Sequence, residues 1–181
     1  MGYRARWLAV KNVELPAALR TVGLRQESEE HGEVDDPGHY ALKLPDAWLV
    51  VIGDGWDAME TVQPAHAFAL SIGTEALHFY CDDTPMCASL RMYRDGMELW
   101  SLEHDCSNGP GAPVVSGAPP AIVAEVIARL RKKQDESGDS DVDHLYDAAP
   151  EIALALVGFR HDQTLSEGKR SPVFVLAPAR P

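Results

Sequence analysis

Two His-Asp dipeptides, His104-Asp105 and His161-Asp162, are the residues of this chain best equipped for chemistry. Imidazole nitrogens and carboxylate oxygens ligate divalent ions, and an ion with an open coordination position can activate water. Glu103 precedes the first pair and is a candidate base for such a metal-assisted hydrolase. The site requires four residues from two distant segments to converge. Neighbouring residues on a strand point to opposite faces, so neither dipeptide chelates an ion by itself while extended. The plainer role for Asp105 and Asp162 is to accept backbone N–H bonds, Asp105 from an Asn108-Gly109 turn.

Cys106 lies two residues beyond His104, so a continued strand would place both side chains on one face as a nucleophile–base pair. Nothing around Cys106 matches a thiol-enzyme motif. His-Asp pairs also mark metal-dependent phosphohydrolases of the HD type, but there the pair sits on a helix, and the pattern around His104 is that of a strand. An acidic loop offers a different ion site. Asp139, Asp141, Asp143 and Asp147 occupy the first, third, fifth and ninth positions of a calcium-loop template. His144 stands where that template needs glycine, Pro150 stands where a bidentate Glu belongs, and Glu151 comes one residue late. Cys81, Asp82, Asp83 and Cys87 could ligate a metal, although their spacing is not that of a structural zinc site. The serine-hydrolase elbow, the P-loop, the dinucleotide-binding glycine motif and H-E-x-x-H are all absent, and no cofactor is implied.

Composition narrows the classes further. The chain has 181 residues and a formal net charge of −12, from 28 acids against 16 bases. Such a field repels phosphate backbones and argues against nucleic-acid binding. It favours encounter with a basic protein partner. Three cysteines without a C-x-x-C arrangement suit reduced thiols in the cytoplasm. The N-terminus lacks the apolar run of a signal peptide, and no stretch approaches the roughly 20 apolar residues of a membrane helix. Oligomeric state is left open.

The elements that must carry these groups can be read from pattern. Tyr3 to Val10 is a strand, and a short helix with Leu15, Leu19 and Val22 on one face follows, with Asn12 as N-cap and Gly23 as its stop. Glu27 to His39 has the composition of a solvated loop. Ala47 to Ile52 suits a central strand, and Phe68–Ile72 and Glu75–Cys81 flank a Gly73-Thr74 hairpin turn. Asp95-Gly96 is a second hairpin turn, of the kind that needs positive φ at both residues. A regular ladder then sets Arg91 opposite Trp100, and puts Arg91, Tyr93, Trp100 and His104 on one face. Trp100, Tyr93 and Arg91 together would line a small-ligand pocket, with a cation–π contact between Arg91 and Trp100. Val114-Val115 is a brief strand. Pro119-Pro120 opens a helix with a stripe of Ile122, Val123, Val126, Ile127 and Leu130, and an acidic loop covers Asp135 to Asp143. A last helix begins near Pro150 and stops at Gly158, and Val173–Leu176 is a final strand. The expectation is a single α+β domain over 1–181, an antiparallel meander of about five to seven strands with about three helices packed against it.

Several runs of this chain resemble a family of uncharacterised small acidic bacterial proteins. They are Trp7-Leu-Ala-Val10, Asp95-Gly96 with Trp100-Ser-Leu-Glu-His-Asp105, Asn108-Gly-Pro-Gly111, Val115-Ser-Gly117, Asp141-Val-Asp-His-Leu-Tyr-Asp147 and Ala155-Leu-Val-Gly-Phe-Arg-His-Asp162. The resemblance implies no catalytic residue. A looser similarity in size, acidity and make-up links the chain to bacterial immunity proteins that neutralise toxins. The leading expectation is a non-enzymatic acidic cytosolic binding module for a basic protein. The alternatives are a metal-assisted hydrolase built on the two His-Asp pairs and a small-ligand-binding domain.

Overall fold

Runs of β-branched, aromatic and alternating residues build nine strands among the described residues. A computed structural model describes residues 4–30, 37–106, 111–137, 142–162 and 172–179. The strands are β1 (Arg4–Lys11), β2 (Leu24–Glu30), β3 (Gly38–Lys43), β4 (Trp48–Asp54), β5 (Glu75–Asp82), β6 (Cys87–Arg94), β7 (Met97–Asp105), β8 (Val114–Gly117) and β9 (Val173–Pro178). They form one open sheet in the order β2-β9-β3-β4-β1-β5-β6-β7-β8, with every neighbouring pair antiparallel. The helices are α1 (Leu15–Val22), α2 (Trp56–Met59), α3 (Pro64–Leu70), α4 (Ala121–Ser137) and α5 (Ala148–Val157). The α+β class stands, with more strands and helices than expected. Only β5 to β8 run as a simple meander, because β9 inserts between β2 and β3 and β1 between β4 and β5. Among the described residues, no helix is long and apolar enough to cross a membrane.

Both faces of the sheet are covered, which makes three layers. One face carries Trp7, Leu77, Phe79, Leu90 and Leu102 against Val123, Val126 and Leu130 of α4 and Ile152, Ala153 and Val157 of α5. Trp7 sits at its centre, stacked on Phe79 at 4.9 Å and edge-on to Phe159 at 5.2 Å. The other face carries Leu8, Val10, Val51 and Phe174 against Leu15, Leu19 and Val22 of α1 and Ala67 and Leu70 of α3. Helix α1 buries residues at successive helical turns and stops where Gly23 takes φ 77°, a left-handed angle that glycine adopts without strain. Glu14, not Asn12, occupies its N-cap position.

Four local expectations are corrected. Phe68–Leu70 is helical rather than a strand: Pro64 starts α3, and a capping box between Gln63 and His66 closes its first turn. Glu27–Glu30 belongs to β2, an edge strand in which only Leu24 is buried; charged side chains without an apolar face hid it. Asp135–Ser137 continues α4 rather than opening a loop. The fourth correction decides where the site lies. Asp95 (φ 52°) and Gly96 (φ 69°) do form the tight turn, and Arg94 pairs with Met97 and Tyr93 with Glu98. Met92 then pairs with Trp100, so Leu99 is the extra residue of a β-bulge. One added residue turns every later side chain to the other face. Trp100, Leu102 and His104 therefore point under α4 and α5 with Leu90 and Met92, while Arg91 lies across from Ser101.

Candidate metal centre

The bulge delivers His104 to the buried end of the helix-covered face, where its side chain is 1 % exposed. Strand β7 stops at Asp105, and Cys106, two residues on from His104, is half-buried on the same side. Asp143 comes from the opposite direction, out of the segment between α4 and α5. Two devices hold it. The Gln134 side chain on α4 donates to the Val142 carbonyl at 2.7 Å and accepts from the His144 amide at 2.7 Å, clamping the backbone on both sides of Asp143. Asp143 Oδ1 accepts from the Leu145 amide at 2.9 Å and caps a 3-10 turn over His144–Asp147. Leu145 is buried in the core beneath, so the turn is pinned by packing as well.

The second carboxylate oxygen completes a triangle. Asp143 Oδ2 lies 2.8 Å from His104 Nε2 and accepts from Cys106 Sγ at 2.8 Å, and Cys106 Sγ lies 3.1 Å from His104 Nε2. Among the described residues, this is the group of His, Cys and Asp side chains whose ligand atoms converge, all within 4.8 Å of one another. Tyr146 borders it, with its ring 6.4 Å from that of His104 and its hydroxyl donating to Asp83 Oδ1 at 2.6 Å.

Electrostatics set the protonation of the triangle. Burial pushes the Cys106 thiol up to about 12, and the Asp143 carboxylate beside it pushes the same way. Burial also works to raise Asp143, but hydrogen bonds from Cys106, His104 and the Leu145 amide outweigh it and hold the carboxyl below its ordinary range. A thiol in this setting is a poor nucleophile, because nucleophilic cysteines need a depressed pKa. The geometry also departs from a catalytic triad. There the imidazole uses one nitrogen for the nucleophile and the other for the carboxylate, whereas here Cys106 and Asp143 both meet Nε2.

Three unlike donors around one point suit a metal ion instead. Nitrogen, thiolate and carboxylate oxygen together fit zinc and its neighbours in the transition series. Tetrahedral ligation with bonds of about 2.0–2.3 Å separates ligand atoms by roughly 3.3–3.5 Å. The contacts of 2.8 to 3.1 Å must therefore open by about half an ångström, and the half-buried Cys106 at the strand end can move that far. Such a site holds three protein ligands and one coordination position for water or a ligand.

The structure separates the other candidate residues from this centre. His161 packs on Phe79 at 5.0 Å, with Nε2 3.5 Å from Cys81 Sγ, and burial lowers its pKa to about 4. Cys81, Ala88 and His104 form one cross-strand row, so the strand under His161 is two spacings, about 10 Å, from His104. Asp162 grips Arg160 through both oxygens, at 2.6 and 2.8 Å, and Asp147 takes the same guanidinium at 2.9 Å. Asp105 and Glu103 lie on the opposite face from His104, where Asp105 accepts from Cys87 Sγ at 3.5 Å and Glu103 pairs with Arg91. Asp82 pairs with Arg4 at 2.8 Å. Tyr93 packs edge-on to Phe68 on the α3 side, so Trp100 parts from both Tyr93 and Arg91. Of the calcium-loop acids, Asp143 is engaged in the triangle, while Asp139 and Asp141, like the Asn108-Gly109 turn, lie outside the described residues. The pairing of Cys106 with Asp143 has no sequence signature, although the two-residue spacing of His104 and Cys106 marks half of it. No family model, curated protein or solved structure matches the chain.

Proposed function

We propose that this chain binds a divalent transition-metal ion, zinc by the nature of its donors, through His104 Nε2, Cys106 Sγ and Asp143 Oδ2. The observation that carries it is the meeting of these three ligand atoms within 4.8 Å, from two segments far apart in the chain. The clamp by Gln134 and the cap on Leu145 are the supporting contacts that a pre-formed ligand set needs. Binding replaces the Cys106 thiol proton, so affinity rises with pH. The open position makes water activation available to the ion. Glu103, on the other face of the sheet, is not the base for it. A basic protein partner is supported by net charge alone, and the metal has the better-defined geometry.

Competition between the chelated protein and a chromophoric zinc chelator tests this. The expected result is one ion per chain, with affinity reduced at least tenfold in both Cys106→Ser and Asp143→Asn. Binding unchanged in both variants, or no binding above background, would overturn the proposal.

A further inference from the structure

At the opposite end of the same sheet face from His104 there is a hollow of about 400 Å³. Antiparallel pairing brings together the end of β1 (Lys11), the start of β4 (Trp48), the start of β5 (Glu75) and the end of β6 (Arg94). The Leu99 bulge rolls Trp100 into the wall beside Met92. Gly117 on β8 keeps the far wall close, since a Cβ there would collide with the Leu99 carbonyl, and Ala118 donates to that carbonyl at 3.0 Å. Pro119 and Pro120 form a stiff lip.

Three charged side chains, Lys11, Glu75 and Arg94, share the lining with apolar residues. Arg94 and Glu75 close on each other as an ion pair. That leaves Lys11, whose ammonium sits 5.6 Å from the Trp48 ring centroid and makes no ion pair among the described residues. Its charge is open to an anionic group seated in the hollow beside the indole rings of Trp48 and Trp100. Cavities of roughly 300–1,000 Å³ with apolar walls and one or two fixed polar groups are the usual form of small-molecule sites.

We infer that this hollow binds a small arene carboxylate, its flat body against Trp48, Trp100, Met92 and Leu99 and its carboxylate on Lys11. The inference is independent of the metal centre. It keeps only Trp100 of the trio first expected to line a pocket.

The tryptophans give the test a built-in control. Trp48 and Trp100 line the hollow, while Trp7 is buried between Phe79 and Phe159 and Trp56 is exposed beside Arg4. The full chain is titrated with 2-naphthoate and with neutral 2-naphthamide, following the four indole N–H signals by NMR. Expected are saturable shifts at Trp48 and Trp100 but not at Trp56, and an acid bound roughly five- to tenfold tighter than the amide. Lys11→Met should erase that preference while leaving amide binding in place. Absence of saturable shifts at Trp48 and Trp100, equal shifts at Trp56, or an amide bound as tightly as the acid would each overturn the inference. So would a preference for the acid that survives in Lys11→Met.

Discussion

Acidification should weaken the fold through His78, a histidine in the middle of β5. Its side chain is buried, with Nε2 3.4 Å from the Val62 carbonyl. Burial lowers its pKa from 6.5 to about 3; the Val62 carbonyl pulls the other way, and the positive charges of Arg6 and Arg91 add to the lowering. The folded pKa is thus depressed below the unfolded value. The stability held by neutral His78 is present in full above about pH 6.5, declines as the pH falls, and is gone below about pH 3. Each pKa unit is worth about 1.4 kcal/mol, so between about pH 7 and pH 4 the loss is about 3 kcal/mol. Other histidines lose stability in the same direction, so the assay is a difference. His78→Gln cannot titrate, and its amide can still donate to the Val62 carbonyl. Urea unfolding of both proteins, followed by tryptophan fluorescence, should show wild type losing about 3 kcal/mol relative to the variant over that range. A stability difference that stays constant with pH would refute the assignment of a neutral, buried His78.

Single contacts carry three more expectations. Gln134→Ala removes the clamp around Asp143 and should weaken metal binding about tenfold while costing the fold only about 1 kcal/mol; unchanged zinc affinity by calorimetry would contradict the clamp. Deleting Leu99 removes the extra residue and leaves Trp100 opposite Met92 in a regular ladder, so Trp100, Leu102 and His104 keep the core face and near-ultraviolet dichroism should stay native-like. Loss of the native spectrum would show that Leu99 is not the residue the ladder can spare. Gly53→Ala drives a Cβ into the Ala58 carbonyl and should lower the thermal midpoint by several degrees through displaced packing of α2 on β4. An unchanged midpoint would mean that α2 moves freely.

Much of the scaffold was legible because local chemistry decides it. Asp95-Gly96 turns as its residue types require, Gly23 and Gly158 stop their helices in the left-handed region, and the stripe of Val123, Val126 and Leu130 is buried. What escaped depends on distant partners. Leu24–Glu30 pairs with β9 near the other end of the chain, and nothing in its charged sequence announces that. The hydrophobic run Phe68–Leu70 fits a strand as well as a helix until Pro64 and the Gln63–His66 capping box decide. The Leu99 bulge changed the most, since an unmarked extra residue exchanged the two faces of β7 and with them the surroundings of His104. Half of the candidate centre could be read from the His104–Cys106 spacing. Asp143 stood out only as an acid in a failed calcium template. Its meeting with them rests on Gln134 and Leu145, contacts that exist only once α4 has docked.

Adding cobalt(II) to chelated protein under reducing conditions reports the thiolate, the coordination number and the stoichiometry in one absorption spectrum. A site formed by His104, Cys106 and Asp143 should give an intense sulfur-to-metal charge-transfer band and tetrahedral visible bands, saturating at one ion per chain and reversed by zinc. Cys106→Ser should lose the charge-transfer band. A wild-type spectrum that stays that of aqueous cobalt, or a charge-transfer band that survives in Cys106→Ser, would contradict the metal centre.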